Sequence, residues 1–183
     1  GGKIGFIDRQ GRTVIPPTWS YPVGSQEMDY LFKGGYCAVF DNARQCGLID
    51  RNGQWKVAPQ YDYIYMPEEG LRILQKGDRW GVLGDSLQIL MPVEYDWLKI
   101  VPEGIVCIQG GKQQVIGKEG KTVVRPFVYD AILPLYYSTG EYFDNGEERM
   151  NRSRYFSYSV WNPKGNRYGL MDAEGKRITE ALY

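Results

Sequence analysis

Histidine is missing from all 183 residues. That absence rules out a Ser-His-Asp triad, a Cys-His pair and the usual His-containing zinc sites. A charge excess is missing too: 22 Lys and Arg balance 22 Asp and Glu. No overall field therefore draws the chain to nucleic acid or to an anionic membrane surface. The longest basic stretch, Arg149, Arg152 and Arg154, is broken by Met, Asn and Ser and reads as a solvated loop. No run approaches the roughly 20 apolar residues of a membrane-spanning helix, so membrane insertion is not expected. Cysteine is scarce: Cys37, Cys46 and Cys107 are an odd number without CxxC spacing, which suggests neither a disulfide framework nor a metal knuckle. A bridge between Cys37 and Cys46 would be within reach across a hairpin turning at Asp41-Asn42-Ala43-Arg44, but small buried hydrophobes are the preferred reading of all three. No GxGxxG opening a helix, P-loop, HExxH or EF-hand loop occurs, so no cofactor is expected. No signal peptide is recognised, and a chain that opens on Gly1-Gly2 rather than Met is read as processed or truncated.

What is abundant points one way. Fifteen Tyr and five Trp favour strands, and 23 Gly with ten Pro punctuate the chain at short intervals. A pattern recurs along it. Lys3-Ile4-Gly5-Phe6-Ile7-Asp8-Arg9-Gln10-Gly11 returns as Gln45-Cys46-Gly47-Leu48-Ile49-Asp50-Arg51-Asn52-Gly53. Further copies start at Arg79-Trp80-Gly81, at Gln113-Gln114-Val115 and at Arg167-Tyr168-Gly169. Each reads as a short apolar strand, a polar turn usually closed by Gly, and a second strand. In four copies the second strand ends in Pro (Pro17, Pro59, Pro92 and Pro126), which cannot donate to a ladder. An aromatic follows each: Trp19, Tyr61, Tyr95 and Tyr129, the last three succeeded by Asp62, Asp96 and Asp130. The fifth copy lacks the Pro but keeps a terminal Tyr183. A further strand precedes each new copy, giving three or four antiparallel strands in roughly 35–40 residues. One such unit cannot bury its apolar face alone, so neighbours must cover each other.

The expected fold is all-β: one domain of tandem antiparallel hairpin repeats in an open twisted array, with propeller-like closure as the alternative. The five units fall at about 3–34, 35–69, 70–103, 104–154 with an insertion at 136–154, and 155–183. The aromatic-Gly marker stands as Trp80-Gly81 and Tyr168-Gly169, and Gly47-Leu48-Ile49-Asp50 and the Pro…Tyr-Asp tail accompany it. In these features the chain resembles the WG-repeat (tryptophan-glycine β-repeat) family of bacterial proteins over nearly its whole length. It departs from the pattern where Ile4, Cys46 and Gln113 replace the aromatic and where Gln114 replaces the Gly. The resemblance implies an all-β repeat architecture and carries no catalytic residues.

Candidate chemistry competes with periodicity. Asp8, Asp50 and Asp172 recur at turn starts, where Asp hydrogen-bonds its own backbone, and Asp62, Asp96 and Asp130 are read the same way. Catalytic groups are usually singular, so no enzyme is expected; a hydrolase built on two carboxylates is the least favoured reading. Tyr61, Tyr95 and Tyr129 recur at equivalent places and are read as core. Tyr63, Tyr65, Trp97 and Tyr137 vary between copies and are read as surface candidates. Tyr142 and Arg149 join them from the insertion, where Asn145-Gly146 suggests a type I′ turn in an extended hairpin. Repeat insertions project from one face, often the binding face. The expected function is a non-catalytic module for protein or peptide partners, with glycan binding through exposed Tyr and Trp as the second reading.

Overall fold

A computed structural model describes residues 2–20, 30–102, 104–118 and 128–182. Fifteen strands and no helix occur among them. The chain divides into two compact units, Gly1–Glu94 and Tyr95–Tyr183. In the first, β1 (Lys3–Ile7), β2 (Thr13–Ser20), β3 (Cys37–Phe40), β4 (Cys46–Ile49) and β5 (Trp55–Tyr61) form one sheet in chain order. A second sheet holds β6 (Tyr63–Ile64), β7 (Arg72–Lys76), β8 (Arg79–Leu83) and β9, which runs Ile89–Tyr95. The other unit contains β10 (Trp97–Val101), β11 (Gly104–Gln109) and β12 (Lys112–Ile116) in one sheet. Its second sheet joins β13 (Ala131–Tyr142), β14 (Glu148–Val160) and β15 (Arg167–Met171). Neighbours in chain order are neighbours in each sheet and no sheet closes on itself, so the fold is an open tandem hairpin arrangement. The second strand expected at 122–126 and Tyr183 lie outside the described residues.

Local chemistry sets the turns. At Asp8, Asp50 and Asp172 the backbone closes a three-residue loop, with Gly11, Gly53 or Gly175 donating back to the Asp carbonyl at 3.0–3.1 Å. Each of these glycines sits at φ between 77° and 82°, where a side chain would strain the backbone. The Asp carboxylate accepts the N–H groups two and four residues on, at 2.8–3.1 Å, as expected of Asp at a turn start. Asp62, Asp96 and Asp130 act differently from the local-turn expectation. Each stands where the chain passes from one strand pair to the next. Its carboxylate accepts an N–H 14–31 residues away, from Gly77, Gly110 or Trp161, where the following hairpin turns or ends.

The repeat glycine has a steric cause. Opposite Gly5, three residues of β2 intervene where the register jumps from Ile15 to Trp19; opposite Gly47, β5 jumps from Val57 to Tyr61. The bulged strand crosses so closely that a Cβ on Gly5 would lie 2.6 Å from the Ile15 carbonyl oxygen. A Cβ on Gly47 would stand equally close to the Val57 oxygen and the Trp55 ring, and one on Gly81 would lie 2.8 Å from the Met91 oxygen. Gly169 meets the Tyr158 ring in the same way. Pro17, Pro59 and Pro92 belong to this crossing, where the ladder is already interrupted.

The core explains the apolar strands. Every residue of β3 and β4 is buried. Ala38, Phe40, Cys46 and Leu48 join Tyr61, Ile64, Leu74 and Leu83 on one face, while Cys37, Val39 and Ile49 join Ile4, Ile15 and Trp19 on the other. Cys37 and Cys46 thus belong to clusters on opposite faces. None of the three cysteines forms a disulfide and all are buried, which removes the bridge and leaves the hydrophobe reading. Burial pushes the Cys37 thiol up to about 11 and the Cys46 thiol up to about 12. In the second unit, Val101, Val106, Val115, Tyr129, Ile132, Phe156, Tyr158 and Met171 form the core. Tyr61, Tyr95 and Tyr129 are buried, as their periodicity suggested.

Candidate functional site

The insertion forms the outer part of the β13–β14 hairpin. Near its base the hairpin is anchored: Ile132, Phe156 and Tyr158 are buried, and Tyr158 donates its hydroxyl to the Thr179 carbonyl at 2.6 Å. Beyond Pro134 the buried positions stop, and the strands continue as a two-stranded arm. The pairs Tyr136 with Arg152, Tyr137 with Asn151 and Ser138 with Met150 hold its register. The arm turns at Phe143–Glu147, where Gly146 donates to the Phe143 carbonyl at 2.9 Å and Phe143 to the Glu147 carbonyl at 2.8 Å. Gly146 has φ 82°, while Asn145 is not among the positive-φ residues. The extended hairpin is present, but its turn is a three-residue loop of the kind used at Asp8 and Asp50 and not a type I′ turn. A type I′ turn needs two successive left-handed residues; this loop needs one.

Exposed rings stand on both sides of the arm. Tyr136 and Tyr137, adjacent and therefore on opposite faces, are each 54% exposed, and Tyr142 reaches 63%. Phe143 and Met150 are exposed beside them. Arginines brace the rings. Arg149 pairs with Glu141 at 3.4 Å and lies 4.7 Å from the Phe143 ring centre, and Arg152 lies 6.0 Å from that of Tyr136. Such contacts restrict side chains that would otherwise be ordered only on binding. At the foot of the arm, Arg154, Tyr155, Asp172, Ala173, Glu174 and Ile178 line an open groove of about 460 Å³.

The six residues singled out in the sequence fall in three separate places. Tyr137, Tyr142 and Arg149 come together on the arm. Trp97 stands on β10 opposite Ile108 and is 41% exposed. Tyr63 and Tyr65 lie in the first unit and are half-buried rather than open. Tyr63 packs on the cluster around Phe40 and Leu48. Tyr65 donates to Gln75 Oε1 at 3.0 Å and stacks on Trp80 at 5.7 Å. Desolvation raises the phenol pKa of both tyrosines. Phe143 and Met150 were missed, although their signal is legible: apolar residues placed among polar ones where no core demands them.

Asp8, Asp50 and Asp172 hold their own loops, and backbone hydrogen bonding comes first among the causes lowering the Asp8 and Asp50 carboxyls. The Asp130 carboxyl is lowered chiefly by Lys112 and then by the Trp161 N–H. Among the described residues no group of three or more Cys, Asp or Glu is placed to hold a metal ion.

No curated protein matches the chain. The family model described as WG containing repeat matches residues 4–24 and 47–80. These segments contain Gly5 and Gly47, the glycines over which a bulged, Pro-bearing strand crosses, and the second ends on Trp80. Over these two segments the chain is similar to the WG-containing repeat.

Proposed function

We propose that the protein is a non-catalytic recognition module for a protein or peptide partner, and that the β13–β14 arm is its binding element. The observation that carries this reading is the arm's surface. Tyr136, Tyr137, Tyr142, Phe143 and Met150 are each exposed by half or more on a ribbon lacking core on either face. Contiguous exposed apolar surface rimmed by charge marks interaction sites. Tyrosine supplies large contact area at little entropic cost. The turn aspartates already occupied by backbone N–H groups support the non-catalytic part of the reading. The test is affinity capture with intact protein and with Tyr137→Ala/Tyr142→Ala, compared quantitatively. One or more proteins retained by the former and lost by the latter are expected; identical capture by both would refute the arm as binding element.

Glycan binding is the second reading, favoured by the exposed Trp97 ring and Tyr137. Oligosaccharide binding that disappears on Trp97→Ala or Tyr137→Ala supports it, and no binding at millimolar oligosaccharide ends it.

A further inference from the structure

β4, β8, β12 and β15 each pair with the strand before them in one register. Opposite Ile49, Leu83, Ile116 and Met171 stand Cys37, Arg72, Ile105 and Phe156. Cys37, Ile105 and Phe156 are ordinary core residues; Arg72 is a charge at the same place and only 4% exposed. Its Nη2 reaches from the second sheet of the first unit to the turn that leads into β3 of the first sheet. There it donates to the carbonyls of Lys33 at 2.6 Å and Tyr36 at 3.4 Å. Each of those residues already donates its N–H to the other's carbonyl at 3.0–3.1 Å, so Arg72 takes the lone pairs that the turn leaves over. A Cβ on Gly34 in that turn would lie 3.9 Å from Asp85 Oδ1 and 4.0 Å from Arg72 Nη2, so a carboxylate and the guanidinium flank one turn. Desolvation is the chief influence on Arg72 and lowers its pKa; the Asp85 charge is among those opposing it. Nη1 is buried without an acceptor among the described residues. A buried cation with one orphaned nitrogen holds a core no better than a well-packed apolar side chain does.

We propose that Arg72 fixes the order in which the repeats of the first unit stack, and adds no net stability. Apolar residues recur at the same register positions of successive copies, so the cores between copies discriminate weakly between one strand and another. Misassembly of like elements is the characteristic failure of repeat chains. Arg72 breaks the likeness. In its own place, β7 sets the guanidinium on two carbonyls beside Asp85. In the place of β3, the same side chain would stand where Cys37 does, among Ile4, Ile15, Trp19 and Val39. In the place of β14 it would stand where Phe156 does, among Val106, Ile132 and Met171. Neither cluster offers a buried cation an acceptor, so both arrangements carry a large desolvation cost. Discrimination of this kind works by penalising the wrong neighbour and not by strengthening the right one.

Urea unfolding and refolding of the full chain test this. Arg72→Met keeps the length of the side chain and removes the charge, and is expected to unfold at the wild-type midpoint or above it. Arg72→Ile, which installs the residue at the same place in β11, is expected to behave alike. Cys37→Arg puts the charge at a place that β7 must avoid, and is expected to lower the midpoint by about half or more. After refolding, the wild type returns one set of backbone amide signals by NMR. The charge-free variants return additional sets, with the native set reduced about twofold. A midpoint that falls in both charge-free variants, or failure of both to fold, makes Arg72 a stability contact and overturns the proposal. Refolding of those variants to a single set overturns it as well, and so does a Cys37→Arg chain that unfolds at the wild-type midpoint.

Discussion

The β3–β4 hairpin and the outer β13–β14 arm are built alike and fare differently. Both turn through a three-residue loop in which the fourth residue donates to the first carbonyl and the first N–H donates to the fifth residue's carbonyl: Asp41 through Gln45 in one, Phe143 through Glu147 in the other. The left-handed position is Arg44 at φ 64° in the first and Gly146 in the second. Yet β3 and β4 are buried on both faces, while the arm beyond Pro134 has exposed rings on both. Hairpin chemistry is therefore shared, and stability is decided by what covers the faces. A covered hairpin must keep its side chains. An uncovered one is free to spend them on binding.

The comparison is sharpest where side chains are truncated. Leu48→Ala removes a fully buried side chain from the first core and should cost about 3 kcal/mol, whereas Tyr137→Ala should stay within about 0.5 kcal/mol. Urea unfolding of both variants separates them; equal costs would break the comparison. Gly47→Ala places a methyl against the Val57 oxygen and the Trp55 ring and should cost about 2 kcal/mol. Gly140→Ala, on the arm, meets no neighbouring atom and pays only for its φ of 73°, about 1 kcal/mol locally. Arg44→Gly works in the opposite direction. Arg44 is exposed and left-handed, so relieving it should stabilise the protein by up to about 1 kcal/mol, read as a raised urea midpoint.

The smallest effect is electrostatic. The folded Asp50 carboxyl is held below its ordinary value, so its contribution is present above the unfolded pKa of about 3.9 and fades as pH falls through the folded one. Asp50→Asn should flatten the loss of stability between pH 5 and pH 3, measured as urea midpoints. An unchanged slope would mean that the turn carboxylate adds nothing through its charge.

Much of this was readable because it is local and periodic. Asp8, Asp50 and Asp172 declared their turns, Tyr61, Tyr95 and Tyr129 declared the core, and the surplus between the last two copies declared a long hairpin. The rest depends on distance or geometry. Asp62, Asp96 and Asp130 look like local turn residues because nothing in spacing reveals a partner 14–31 residues ahead. Asn145-Gly146 suggested two left-handed residues, but the preceding Asp144 lengthens the loop so that only Gly146 needs that conformation. Tyr63 and Tyr65 looked exposed because they are not repeated; the Phe40 cluster and Trp80, which half-cover them, come from other strands.

Replacing residues 137–151 by Asn-Gly would join Tyr136 to Arg152, which already pair, and remove the open arm while keeping its anchored base. Urea unfolding of that shortened chain beside the intact one asks directly whether uncovered strands serve binding rather than folding. The account predicts an unchanged midpoint together with loss of the captured partner. A midpoint that collapses, or capture that survives, would contradict it.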